Sequence, residues 1–140
     1  MNSALSHHLT VLPVQQNQSS VNEASLQALP GLRGQNIDAL YLHIPFCFHK
    51  CHYCDFYSLV EPEHRDRQEA FTHRLIHELE YRSTQVNLRP QTLFVGGGTP
   101  TLLRENLWGQ ILDCLDRLQV TKGLREVTVE ANPETVTPEL

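Results

Sequence analysis

What the 140-residue sequence lacks narrows it first. No apolar run approaches the ~20 residues that a membrane-spanning helix requires. No Arg or Lys precedes Arg33, and no apolar stretch follows a basic start, so the N-terminus reads neither as a secretory signal nor as a transit peptide. Positive charge is scarce. The 11 Lys and Arg residues against 16 Asp and Glu give a formal charge of −5, which argues against broad, phosphate-driven nucleic-acid binding. Cysteine is scarce too, at 4 residues. Without an export signal the expected compartment is the reducing cytoplasm, where clustered cysteines bind metal more often than they cross-link. With 40% hydrophobic and 19% charged residues, the chain suits one soluble globular domain or a piece of one.

What is present is unevenly placed. The stretch FCFHKCHYCDF, residues 46–56, holds Cys47, Cys51 and Cys54. A disulfide needs an even number of thiols, and a closed structural zinc site usually needs four ligands. An odd trio suggests a site built to leave one position open. Three thiolates at Cys-x3-Cys-x2-Cys spacing suit one face of a 4Fe-4S cluster, leaving one iron without a protein ligand. The same thiolates also suit a zinc site completed by His43, His49 or His52. Spacing alone leaves both readings open.

The coarse pattern is α/β. Residues 1–36, rich in Ser, Gln, Asn and His, predict a mostly disordered leader, or a short helix around EASLQAL. DALYLHI (38–44), QTLFV (91–95) and REVTVEA (125–131) predict three strands. Phe71, Leu75 and Leu79 predict a helix over about 63–83, opened by Pro62; Leu107, Ile111, Leu115 and Leu118 predict another over about 105–119. A third helix is expected to start at Thr137-Pro138. Strands alternating with helices imply a parallel sheet of βαβ units. Three strands leave an edge unpaired, so residues 37–140 are expected to be the N-terminal portion of a longer, truncated domain.

In such sheets chemistry collects at the C-terminal strand ends. The cysteine loop leaves the first strand, Gly96-Gly97-Gly98-Thr99-Pro100 leaves the second, and Glu130 ends the third. The glycines read as a tight turn or as a cradle of backbone amides approaching a ligand. Glu130 reads as a solvated strand end or as an acceptor for a cationic or hydroxyl-bearing ligand. His73 and His77 lie away from the apolar stripe and read as solvated surface, while Cys114 reads as a small core hydrophobe.

Together these residues resemble a known family. Cys47-x3-Cys51-x2-Cys54 looks like the signature of radical S-adenosylmethionine proteins. YLHIPFC, YCDFYS, GGGTPT and VEANP, over residues 38–140, resemble the oxygen-independent coproporphyrinogen III oxidase group. Phe56, two positions after the third cysteine, is similar to the haem-chaperone (HemW) branch of that group, whereas the oxidases typically carry cysteine there. The resemblance implies an incomplete (β/α)6 barrel, of which three strands and two full helices are present. It implies that Cys47, Cys51 and Cys54 bind three irons of a 4Fe-4S cluster and that S-adenosylmethionine chelates the fourth. It places Tyr41, Tyr53, Gly97, Gly98, Thr99 and Glu130 around that cofactor. In enzymatic members the reduced cluster cleaves the sulfonium to give a deoxyadenosyl radical. The expected function is a haem chaperone that takes haem as a further ligand, is served by an electron donor and delivers to a haem-acceptor protein. The alternatives are a radical oxidoreductase acting on coproporphyrinogen III and a zinc-binding module.

Overall fold

The computed structural model describes residues 8–11, 31–60 and 67–136. Four parallel strands form the main sheet in the order β1 (His8–Val11), β2 (Asn36–Ile44), β5 (Asn87–Gly97), β6 (Glu126–Val129). Helix α1 (Gln68–Gln85) connects β2 with β5, and α2 (Glu105–Arg117) connects β5 with β6. Two short strands, β3 (Phe46–Cys47) and β4 (Leu59–Val60), pair in parallel with each other.

The helical stripes and one sheet face share a single core. Leu75 and Leu79 of α1, with Leu107, Ile111, Cys114 and Leu115 of α2, are buried with Leu40, Leu42, Ile44, Leu93 and Val95 of the sheet. Side chains alternate across a strand, so the opposite face carries Tyr41, Phe94 and Thr128, aligned in register across β2, β5 and β6. Gln68 ties the two helix starts together: its Nε2 donates to the Leu102 carbonyl at 3.1 Å, and its Oε1 accepts from the Arg104 amide at 3.1 Å.

The three predicted strands and both helices are present, but α1 opens at Gln68 with Arg67 as its N-cap, later than the start expected at about 63 beside Pro62, and two further differences stand out. The segment read as leader contributes a strand: His8–Val11 pairs with Ala39–Leu42 along the edge of β2. Four residues are too few to show periodicity, but a strand edge presents unpaired N–H and C=O groups that another segment can satisfy. Residues 12–30, with the expected short helix, lie outside the described residues, as do Pro62 and Thr137-Pro138. Strand β5 also begins at Asn87, before Pro90. The pairing with β2 shifts between Ile37↔Leu88 and Ala39↔Thr92. Proline has no N–H for a ladder and is tolerated at such irregularities.

Candidate functional site

Three strand ends meet on one rim. After β2, Pro45 leads into β3 and the cysteine loop; β5 ends in its glycines; Glu130 follows β6. The loop is closed at its base by β3–β4 pairing and by the Leu59 amide, which donates to the Pro45 carbonyl at 2.7 Å. Within it the Cys54 amide donates to the Cys51 carbonyl at 3.1 Å. Cys47, Cys51 and Cys54 are free and half-buried, whereas Cys114 is free and fully buried in the core, as the apolar stripe implies.

The glycines are fitted against their neighbours. A Cβ on Gly98 would lie 2.5 Å from the Phe46 carbonyl and 2.8 Å from Cys47 Sγ. Gly97 has φ +120°, a conformation that L side chains rarely adopt, and a Cβ there would lie 2.7 Å from the His43 ring. The amides of Gly97, Gly98 and Thr99 are all bonded within the chain. Gly97 N donates to Glu130 Oε2 at 3.1 Å, Gly98 N to the Ile44 carbonyl at 2.8 Å, and Thr99 N to the Phe46 carbonyl at 2.7 Å. The glycines therefore serve here by letting the cysteine loop close onto β5, and the expected cradle of amides facing a ligand is already engaged internally.

Glu130 is held from two sides, its own amide donating to the Val95 carbonyl at 2.9 Å and its carboxylate accepting from Gly97. Just beyond, Asn132 Oδ1 accepts from the Glu134 amide at 3.1 Å, and the buried Thr135 hydroxyl is bonded to that of Thr101. The segments after β5 and β6 are thus joined through Thr101 and Thr135.

Tyr41 is half-buried on the same rim. Burial, and then the negative charge of Glu130, push its phenol above the ordinary value of 10.0. Its hydroxyl lies 3.1 Å from His43 Nδ1, and its ring 5.8 Å from that of Phe94. Tyr53 stands apart at the loop tip, 88% exposed. A hydrogen bond with Cys51 and that residue's charge push its phenol up. The structure thus brings together Tyr41, Gly97, Gly98, Thr99, Glu130 and Cys47, and leaves Tyr53 beside Cys51 and Cys54.

His43 and Phe94 are site neighbours that spacing and motif do not place. Spacing offers His43 only as a zinc ligand, yet both ring nitrogens are engaged, Nδ1 with Tyr41 and Nε2 with the Tyr57 carbonyl at 2.9 Å. The Tyr-x-His alternation, which sends both side chains to one sheet face, is the signal that marks it. Of the two α1 histidines expected at the surface, His73 is exposed, but His77 is half-buried with its Nδ1 enclosed.

Among the described residues no three His, Cys, Asp or Glu side chains converge as ligands of a single ion. A cluster several atoms across holds its thiolates farther apart than one ion does. Three unpaired thiols on one closed loop, one of them packed on a glycine, fit such a cluster by donor chemistry. No described helix is long and apolar enough to cross a membrane.

Comparison with known proteins bears on the same residues. The sequence profile of the Radical SAM superfamily matches residues 41–140. The heme chaperone HemW of Bacillus subtilis is 38% identical over 102 residues, covering 71% of this chain and 26% of that protein. The HemW proteins of Buchnera aphidicola from Acyrthosiphon pisum and of Escherichia coli are each 37% identical, over 99 and 101 residues, with 70% of this chain and 26% of each relative covered. The chain therefore spans about a quarter of the length of these relatives. Among solved structures, coproporphyrinogen III oxidase (HemN) from Escherichia coli, described as a radical SAM enzyme, superposes with a TM-score of 0.57 at 22% identity. That match covers 84% of this chain and 27% of that one, and it shows the fold.

Proposed function

This chain belongs to the Radical SAM superfamily, and from that premise we propose that it binds a 4Fe-4S cluster and S-adenosylmethionine and acts as a haem chaperone in the cytoplasm. Cys47, Cys51 and Cys54 would hold the cluster. When bound, it supplies a source of single electrons and one iron open to a small molecule. The observation that carries the reading is the contact of Gly98 with Cys47 beside the Gly97–Glu130 hydrogen bond. It sets a thiol, a side-chain-free backbone and a carboxylate next to one another on one rim.

Each neighbouring group has a definable task in this reading. With its amides engaged and the room a side chain would need filled by Glu130, His43 and Cys47, the glycine stretch would hold the cysteine loop against β5 and fix where a ligand meets it. The Glu130 carboxylate, oriented by Gly97, would meet a cationic amino group or a ribose hydroxyl. Tyr41, whose phenol is held above its ordinary value by burial and then by Glu130, would contribute a neutral aromatic wall with Phe94. Haem uptake and delivery to an acceptor protein follow from the likeness to the HemW relatives.

Anaerobic incubation of the intact protein with iron and sulfide tests the reading. The expected product is brown, contains about four irons, and changes its electron paramagnetic resonance spectrum on adding S-adenosylmethionine. One zinc and no iron in the native protein would instead establish the zinc module. Turnover of coproporphyrinogen III with S-adenosylmethionine and reductant would establish the oxidase, and stable haem uptake without turnover the chaperone.

A further inference from the structure

His43 joins three parts of the rim that otherwise belong to separate elements. It is only 6% exposed, so its polar atoms need partners inside the protein. On one side Nε2 lies 2.9 Å from the Tyr57 carbonyl. A carbonyl can only accept, so Nε2 must carry the proton. In the neutral ring Nδ1 is then an acceptor, and the Tyr41 hydroxyl, 3.1 Å away, donates to it. The ring also lies where a side chain on Gly97 would have to go. The Tyr57 ring packs against it, at 6.0 Å between centroids.

Tyr57 lies three residues beyond Cys54, on the segment that returns from the cysteine loop to β4. The entry to that loop is fixed through β2 and β3. Its exit has the short β3–β4 pairing, the Leu59–Pro45 hydrogen bond, the bond that Lys50 Nζ donates to the Phe56 carbonyl at 3.3 Å, and the His43 bond. Of these, only the His43 bond reaches from a main-sheet side chain.

We propose that His43, in its Nε2–H form, is a positioning residue that straps the returning end of the cysteine loop to the main sheet and sets the loop's distance from Gly97. The consequence for cofactor binding rests on the function proposed above; the strap itself does not. The ring need not touch a cofactor, since it acts through Tyr57, Tyr41 and Gly97.

The test uses the intact protein with His43→Leu, which fills the volume without hydrogen bonds, and His43→Gln, whose amide can donate toward Tyr57. A long-range nitrogen–proton correlation spectrum of the wild type should show the Nε2–H form; a predominant Nδ1–H form would overturn the proposal. Amide exchange at residues 55–59 should rise about tenfold in His43→Leu, the scale of one lost hydrogen bond, with α2 unchanged, and His43→Gln should recover most of it. Unchanged exchange at 55–59, or an equal rise across α2, would reduce His43 to core filling. In reconstituted protein, the spectral response to S-adenosylmethionine should weaken in His43→Leu and return in His43→Gln. If the wild type takes up no cluster, the proposed function fails and the exchange result still decides the strap.

Discussion

The Gly97 amide donates to Glu130 Oε2 at 3.1 Å, across 33 residues of sequence. This bond joins the end of β5 to the residue following β6, and Glu130 also lies close enough to Tyr41 to oppose ionisation of its phenol. Replacing Glu130 by Gln removes that charge while keeping an acceptor for Gly97. The Tyr41 phenol should then ionise at lower pH, still above its ordinary 10.0 because burial is the larger cause. The folded value is raised, so the stability Tyr41 contributes is complete below pH 10 and declines as pH climbs through the folded value. Ultraviolet titration of wild type and Glu130→Gln, with Tyr41→Phe to identify the signal, measures the displacement.

Gly98 is closed to any side chain. Gly98→Ala places a methyl against the Phe46 and Pro45 carbonyls and Cys47 Sγ, which should cost about 1–3 kcal/mol or more, as overpacking does. By contrast Gly109, on an exposed part of α2, has open space around the position its Cβ would take, with nothing within 4 Å. Gly109→Ala should stabilise by about 0.5–1 kcal/mol. Denaturant midpoints of the two variants should move in opposite directions.

The four thiols should divide by reactivity. Burial pushes the Cys114 thiol above its ordinary 9.0, and thiolate is the reactive form. In metal-free protein at pH 8, iodoacetamide should label Cys47, Cys51 and Cys54 while sparing Cys114 until denaturant is added. Peptide mapping reads this directly; early labelling of Cys114 would contradict its placement in the core.

Glu78 gives a second dependence on pH. It is 2% exposed, with Oε1 3.3 Å from Arg82. Burial raises its carboxyl above the ordinary 4.5, and Arg82 and Arg74 pull it back only in part. A raised folded value means that its contribution is present below pH 4.5 and is lost as pH rises through that value. Melting curves should therefore show the wild type losing stability relative to Glu78→Gln as pH increases from acid toward neutral. A constant difference across that range would refute the assignment.

The rim is legible in the sequence because strand periodicity and topology together determine which residues reach the same end of a parallel sheet. The cysteines, the glycines and Glu130 can be assembled from that alone. Strand β1 is not legible, because its pairing answers the open edge of β2 rather than any pattern in its own four residues. The start of β5 is hidden by Pro90, whose lack of an N–H argues against a strand until the local register shift is seen. The engagement of the glycine amides is hidden for a related reason. Which carbonyl an amide finds depends on how closely two loops pack, and glycine permits many distances.

The closeness of Gly98 to Cys47 has a mechanical consequence. Where two loops touch through long side chains, each rotamer change lets them drift. Here one partner is bare main chain, and the amides on either side of the contact, Gly98 and Thr99, bind the carbonyls of Ile44 and Phe46 that flank the start of the other loop. The two loops are therefore geared: tilting one must carry the other, and a molecule gripped by both would meet them at a separation that rotamer changes cannot alter.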